Sequence, residues 1–285
     1  MKISELKNSI QSRLEEAGIE EAGSDTGIIL REFASVTLSD LFTDPDKELD
    51  ASVDMNRIEE VVSQRVKRIP LQHIVGKTCF MGFDFEVSPD ALIPRPDTEI
   101  LTEEALRDYH DGSKFLDLCT GTGCIITSLI ALTNDCYGVG TDISEAALNL
   151  AGKNADTILA DKRERLAFKQ GDLYDALDEG EKFDVIISNP PYIRTADIEG
   201  LMPEVKDHDP MLALDGGEDG LIFYRRIIEG AHEHLVKGGD LLLEIGCDQA
   251  EDVMNIMKAN GFIEINCIKD FAGNDRVVRG ILPLL

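Results

Sequence analysis

The chain has 285 residues, 43% of them apolar, which is enough for a substantial core and favours about two folding units over one. Its 55 acidic and 28 basic residues give a formal net charge of -27. Such a surface repels a phosphate backbone, because nonspecific nucleic-acid affinity comes mostly from Lys and Arg displacing counterions, so no direct nucleic-acid partner is expected. No run of about 18 uncharged apolar residues occurs, and the first 16 residues alternate charged with apolar side chains. Neither a membrane span nor a secretory leader is therefore expected, and the protein is expected to stay in the cytoplasm.

Ile3, Leu6, Ile10 and Leu14 repeat at helical spacing, and Ile58, Val61, Val62 and Val66 do so again before Pro70 ends the pattern. Residues 1–75 are thus expected to form a small helical domain. Alternation follows: Phe83, Phe85 and Val87 face one way and Asp84 and Glu86 the other, after a break at Gly82. Residues 76–96 are expected as a β-hairpin linker. Pro94 and Pro96 force an extended approach, after which Asp97 or Thr98 is placed to cap a helix starting near Glu99.

The remaining stretch, 97–285, alternates strands with helices. Short apolar runs at 115–119, 137–142, 166–170, 184–188 and 240–245 are separated mostly by segments of helical length and pattern. Two late runs, 263–268 and 276–282, have only a short connection, which suits an antiparallel edge because parallel strands need a crossover. The fold class expected is α/β: a doubly wound, mostly parallel, Rossmann-like sheet of seven strands beside the small helical domain.

Six cysteines are scattered without a C-x-x-C pair and are expected as reduced structural thiols. His232 and His234, two apart, point away from each other on a helix, so no metal site is expected there.

Open parallel sheets bind ligands beyond the carboxyl ends of their strands. The first such turn contains Asp117, Cys119, Thr120, Gly121, Thr122 and Gly123. Glycines at 121 and 123 allow a tight turn and close backbone approach, and the following helix offers its N-terminal amides to a carboxylate. A lone G-x-G is weak evidence, and the third small residue of the dinucleotide fingerprint is replaced by Ile126, which disfavours a nicotinamide cofactor. Asp142 ends the second strand, where an acid accepts hydrogen bonds from both hydroxyls of a ribose. Asp172 follows the third, offering a carboxylate to an adenine amino group beside Leu173. Singly, each Asp is more often a cap or loop residue; three acids at three successive strand ends suit a nucleoside carrying a sulfonium cation and no phosphate.

The fourth strand runs into Asn189, Pro190, Pro191 and Tyr192. Asn-Pro is a common turn pair, but a plain turn does not account for a following Tyr beside the three acids. Two prolines make the backbone rigid and leave bare carbonyls. The Asn189 side-chain oxygen and the Pro190 carbonyl can each accept one N–H of an amide or aromatic amino nitrogen, turning its lone pair toward a methyl group. Tyr192 is expected to cover the planar face. No titratable base is required, since the proton can leave once the nitrogen is cationic, and alignment carries most of the acceleration.

The turn at 117–123 with the Asn-Pro-Pro-Tyr loop resembles class I methyltransferases acting on planar nitrogens. Pro70 to Gly76, Phe80 to Phe85, Leu92 to Glu99 and Ala272 to Arg276 are similar to the bacterial release factor glutamine methyltransferases. The resemblance covers nearly the whole chain. It implies S-adenosylmethionine as methyl donor and the Gly-Gly-Gln glutamine of class 1 peptide chain release factors as acceptor, with the helical domain helping to hold the release factor. Cys119 to Gly123, Asp142, Asp172, Leu173 and Asn189 would then contact the cofactor, and Asn189 to Tyr192 the glutamine. Cys119 stands where many methyltransferases have Gly, with little effect expected, and Arg95 is expected to be structural, the alternative being that it lines the substrate pocket. Two alternatives are weighed: a DNA or RNA amino-methyltransferase, which predicts a basic face, and a noncatalytic scaffold, which predicts decayed strand-end residues. Neither feature is visible.

Overall fold

The structure, a computed structural model, describes residues 1–107 and 109–284. The chain forms two compact units. One comprises Met1–Gly76 with the returning segment Pro203–His208; the other comprises Lys77–Met202 with the chain from Asp209 onward.

The first unit is helical, with helices Ile3–Glu16, Ala22–Ala34, Leu38–Thr43, Met55–Val66 and Leu71–Val75. The apolar stripe Ile3, Leu6, Ile10 and Leu14 is buried with Ile29, Leu30, Ile58, Val61 and Val62 in one cluster. Asp54 caps the fourth helix by accepting from the amides of Asn56 and Arg57. The returning segment is held by ion pairs: buried Arg65 donates to Asp25 at 2.7 Å and to Glu204 at 2.8 Å, and Arg68 reaches Glu204 at 2.7 Å.

The second unit opens with a hairpin of β1 (Lys77–Phe80) and β2 (Phe83–Glu86), whose turn residues Met81 and Gly82 both have positive φ. That is the geometry matching the natural twist of a two-residue hairpin. Phe80 and Phe85 are fully buried in the core of this unit, so the hairpin packs as part of it. The next strands are β3 (Lys114–Leu118), β4 (Tyr137–Asp142), β5 (Leu166–Gln170), β6 (Phe183–Ser188), β7 (Leu235–Glu244), β8 (Ile263–Lys269) and β9 (Asp275–Ile281). They form one sheet in the order β5-β4-β3-β6-β7-β9-β8, parallel except that β9 runs antiparallel to both neighbours.

Alternate residues feed opposite faces. Leu116, Leu118, Ile186, Leu241 and Leu243 pack with Tyr224, Ile227 and Ile228 of helix Ile222–His234. Phe115, Val185, Ile187 and Leu242 pack with Ile125, Ile126 and Leu129 of helix Cys124–Leu132. The sheet is therefore covered on both sides, as the continuous apolar runs require.

Two local expectations change. β7 begins at Leu235, five residues before the expected start, because Gly238 and Gly239 hide an irregular pairing with β6 that bulges between Phe183 and Val185. Helix Glu99–Ala105 is preceded by a 3-10 turn, Pro96–Thr98, and neither Asp97 nor Thr98 caps it. Asp97 pairs instead with Arg276 at 3.2 Å, and the Thr98 hydroxyl accepts from Asn189 Nδ2 at 3.2 Å.

Candidate active site

β3 and β6 are neighbours in register, Leu118 opposite Ser188, and the Ser188 hydroxyl donates to the Leu118 carbonyl at 2.7 Å. The turns leaving these strands consequently emerge side by side and open into one cavity. Its wall includes Cys119, Thr120, Gly121, Thr122, Asp142, Asp172, Leu173, Asn189 and Pro191. Asp117, Gly123, Pro190 and Tyr192 are not part of that lining.

The first turn is built on left-handed backbone, with φ of 54° at Gly121 and 74° at Gly123. A Cβ at Gly123 would lie 2.9 Å from the Ala151 Cβ, so this position needs Gly for space as well as conformation. Cys119 also has a positive φ, 60°. A glycine there would be unstrained, so the position is less indifferent to side chain than the sequence suggests.

Asp117 is fully buried one layer below the cavity, where it accepts from the Thr120 hydroxyl at 2.6 Å. Burial pushes its carboxyl up to about 7; the Thr120 hydrogen bond opposes this, and the charge of Asp142 adds to it. It braces the turn from beneath. Asp142 reaches the cavity, with Oδ2 accepting from the Gly121 amide and Oδ1 from the Ser144 amide, both at 2.9 Å. Each oxygen keeps a further lone pair for a hydroxyl donor. Burial raises the Asp142 pKa against these two amide bonds. Asp172 accepts from Arg226 Nη2 at 2.9 Å, and Leu173, at φ 55°, forms apolar wall with Ile143 and Phe223.

At the second turn the Asn189 amide nitrogen is committed to Thr98, which leaves its oxygen as the group available to a donor. Pro190 is buried. Tyr192 is half-buried against the core; burial raises its phenol pKa first, then the Glu244 charge, while Arg276 and Arg95 oppose. Its backbone is held from behind, since the Tyr192 carbonyl accepts from Gln249 Nε2 at 3.0 Å. Arg95 does both things that could be asked of it: it lines the cavity and donates to Asp209 at 2.6 Å.

Sequence reasoning missed several walls. Residues 90–94, after the hairpin, supply one; Ile143, Phe223, Arg226, Leu212 and Ala213 supply others. The signals for the first were its proline-flanked stretch and the family likeness of Leu92 to Glu99; in the structure Ala91 Cβ lies 4.0 Å from the Cβ a side chain at 121 would add.

The lining carries Asp90, Asp142 and Asp172, while its two arginines, Arg95 and Arg226, are already paired with acids. That balance does not suit a phosphate. Ile143, Leu173 and Phe223 give the cavity an apolar face, and Asp142 stands at its edge. Among the described residues no group of three or more His, Cys, Asp or Glu could hold a metal ion. His232 and His234 have separate partners, the carbonyls of Asn260 and Glu181. No helix among the described residues is long and apolar enough to cross a membrane.

A seven-stranded sheet of this order, with a cavity at its carboxyl edge, is the fold of a class I methyltransferase. Residues 109–270 match the family described as methyltransferase domain, and residues 5–76 match the PrmC N-terminal domain. A methyltransferase structure from Pyrococcus furiosus covers 78% of this chain and 99% of its own, with TM-score 0.56 and 20% identity, a likeness of fold. The release factor glutamine methyltransferase of Geobacter sulfurreducens is 41% identical over 267 residues, 94% of this chain and 92% of that one. That of Clostridium acetobutylicum is 38% identical over 284 residues, 99% of each. The chain belongs to the release factor glutamine methyltransferase family.

Proposed function

We propose that this protein transfers the methyl group of S-adenosylmethionine to the side-chain amide nitrogen (N5) of the glutamine in the Gly-Gly-Gln motif of class 1 peptide chain release factors. The observation that carries this is the meeting of Asn189 and Pro191 with residues 119–122 and Asp142 around one cavity, with the Asn189 oxygen uncommitted. S-adenosylmethionine supplies an electrophilic methyl on a sulfonium. Asp142 takes the ribose hydroxyls, Leu173 and Asp172 the adenine, and the amides of the 119–123 turn the carboxylate end. Asp117 acts from below, keeping Thr120 and the turn in place.

An amide nitrogen is a poor nucleophile because its lone pair is delocalised into the carbonyl. The Asn189 oxygen and the Pro190 carbonyl accept its two N–H bonds, Tyr192 borders its flat face, and the lone pair is directed at the methyl carbon. A C–N bond forms as the C–S bond breaks; the nitrogen then gives up one proton to solvent. Well-aligned reactions of this type gain about 7–11 kcal/mol from orientation, and the proline-stiffened corner is suited to provide it.

Residues 97–285 are assigned to methyl transfer, the 76–96 hairpin to bracing that unit, into whose core it packs, and 1–75 to holding the release factor. A substrate of this kind places the reaction in the cytoplasm. The test offers labelled S-adenosylmethionine with a release factor, a DNA duplex or an RNA in parallel. Label should enter the protein alone, and label in a nucleic acid would replace this function with that of an amino-methyltransferase of bases.

A further inference from the structure

Glu244 is the last residue of β7 and is 2% exposed. The parallel register pairs Ser188 with Leu243, so Glu244 lies next to Asn189, while on its other side it pairs with Val277 of β9. A carboxyl buried this deeply is expected to have every oxygen partnered, yet its Oε2 makes no hydrogen bond. What faces it is the machinery of the Asn-Pro-Pro-Tyr corner. The Thr98 oxygen accepts from Asn189 Nδ2 at 3.2 Å, which leaves the Thr98 proton to point elsewhere. Burial pushes the Glu244 carboxyl up to about 7, and the Thr98 hydroxyl and the Asn189 amide both oppose that rise. The charged and titratable groups around it are Arg276 of β9, Asp97 of the 3-10 turn, Tyr192, Tyr224 of helix Ile222–His234 and Cys124 of helix Cys124–Leu132.

We propose that Glu244 is a positioning residue for methyl transfer: it draws the Thr98 hydroxyl proton toward itself, so that the Thr98 oxygen holds the Asn189 amide nitrogen and Asn189 presents its oxygen to the substrate amide. An Asn side chain whose N–H side is held can only turn its carbonyl to the cavity. When Glu244 is ionised it also polarises the Asn189 amide, making that oxygen a stronger acceptor, as chains of hydrogen bonds do. The acceptor then favours the transition state, in which the substrate nitrogen becomes positive. The inference rests on the role given to Asn189 under the proposed function, and it adds a titration. Glu244 is ionised above its pKa, so kcat should rise with pH through the neutral range.

Two measurements on the full-length protein test it. Glu244→Gln keeps the size of the side chain and removes the charge. Its kcat should fall by about 10-fold or more with the rising pH limb gone, while KM for the cofactor stays within about twofold. Separately, the side-chain amide resonances of Asn189, recognised by their loss in Asn189→Ala, should shift with a midpoint of about 7 in the unmodified protein and stay fixed in Glu244→Gln. A Glu244→Gln enzyme with unaltered kcat and the same pH limb overturns the inference, as do Asn189 resonances indifferent to pH. Titrating resonances in a protein that methylates no glutamine would uphold the link between Glu244 and Asn189 and remove the substrate assignment instead.

Discussion

Gly216 offers a direct way to move the reacting corner without replacing any side chain that reaches the cavity. Its amide donates to the Ile193 carbonyl at 2.8 Å, and Ile193 forms a parallel bridge with Asp215, so this strand-like segment lies tight against the corner. A Cβ at 216 would sit 2.7 Å from Tyr192 Cα, 2.8 Å from the Tyr192 carbonyl carbon and 2.9 Å from the Pro191 oxygen. All three are backbone atoms and none can swing aside. Carbon atoms meet at about 3.5 Å or more, so Gly216→Ala must displace the corner by roughly 0.8 Å. A misplacement of about 1 Å in an aligned reaction can cost on the order of 100-fold. The expected loss is therefore about 10- to 100-fold in kcat, or roughly 1.4–2.7 kcal/mol of barrier. Cofactor affinity should stay within a few fold, because Gly121 and Asp142 hang from other strands. Single-turnover methyl transfer at saturating cofactor reads the first quantity and calorimetry the second. Gly152→Ala is the control: it lies inside helix Glu145–Ile158 with nothing within 4 Å of the added Cβ, and it should gain about 0.5–1 kcal/mol of stability with kcat unaltered. If Gly216→Ala turned over at the original rate, alignment by the proline corner could not be what accelerates the reaction.

Other substitutions separate the remaining parts of the site. Asn189→Ala should cut turnover by roughly 100-fold or more, about 2.7 kcal/mol, and leave cofactor affinity within a few fold; full activity in that variant would remove Asn189 from the reaction. Asp142→Ala should weaken cofactor binding by about 10-fold or more, since charge-assisted bonds contribute about 1.5–3 kcal/mol each; unchanged affinity by calorimetry would take it out of the ribose site. Gly123→Ala combines a left-handed φ of 74° with a 2.9 Å contact to Ala151, and should cost roughly 1–3 kcal/mol of stability in urea denaturation. Arg65→Ala leaves Asp25, 4% exposed, and Glu204 without the buried guanidinium that joins them; the helical unit should lose about 3–5 kcal/mol, read by the same denaturation.

Hydrophobic pattern carried most of the fold. The runs ending at Leu118, Asp142, Gln170 and Ser188 are strands because continuous apolar stretches have no other stable place than a sheet covered on both faces. Chain order could not tell that β9 inserts between β7 and β8, because both arrangements satisfy the same short connection. Nor could it tell that Pro203–His208 packs with the first unit, since that depends on the ion pairs of Glu204 with Arg65 and Arg68, which lie more than 130 residues away. In the site, glycines and strand-end acids were visible because their roles are local. The burial of Asp117 was not, as it follows from its phase in β3 and from the Thr120 hydroxyl that folds back over it. Phe223 and Arg226 were invisible for the opposite reason: helix Ile222–His234 buries one face and turns another to the cavity, and periodicity alone marks only the buried one. Glu244 ends an apolar strand, and only its pairing beside Asn189 gives it meaning.

The central claim is that a corner at the end of β6 grips an amide nitrogen by its two hydrogens and points it at a sulfonium methyl. Mass-spectrometric mapping of a release factor after incubation with the protein and S-adenosylmethionine tests it most directly, beside the same factor with Gln→Ala in its Gly-Gly-Gln motif. One methyl on that glutamine, absent from the control, is the expected result; a methyl elsewhere that persists in the control would contradict it.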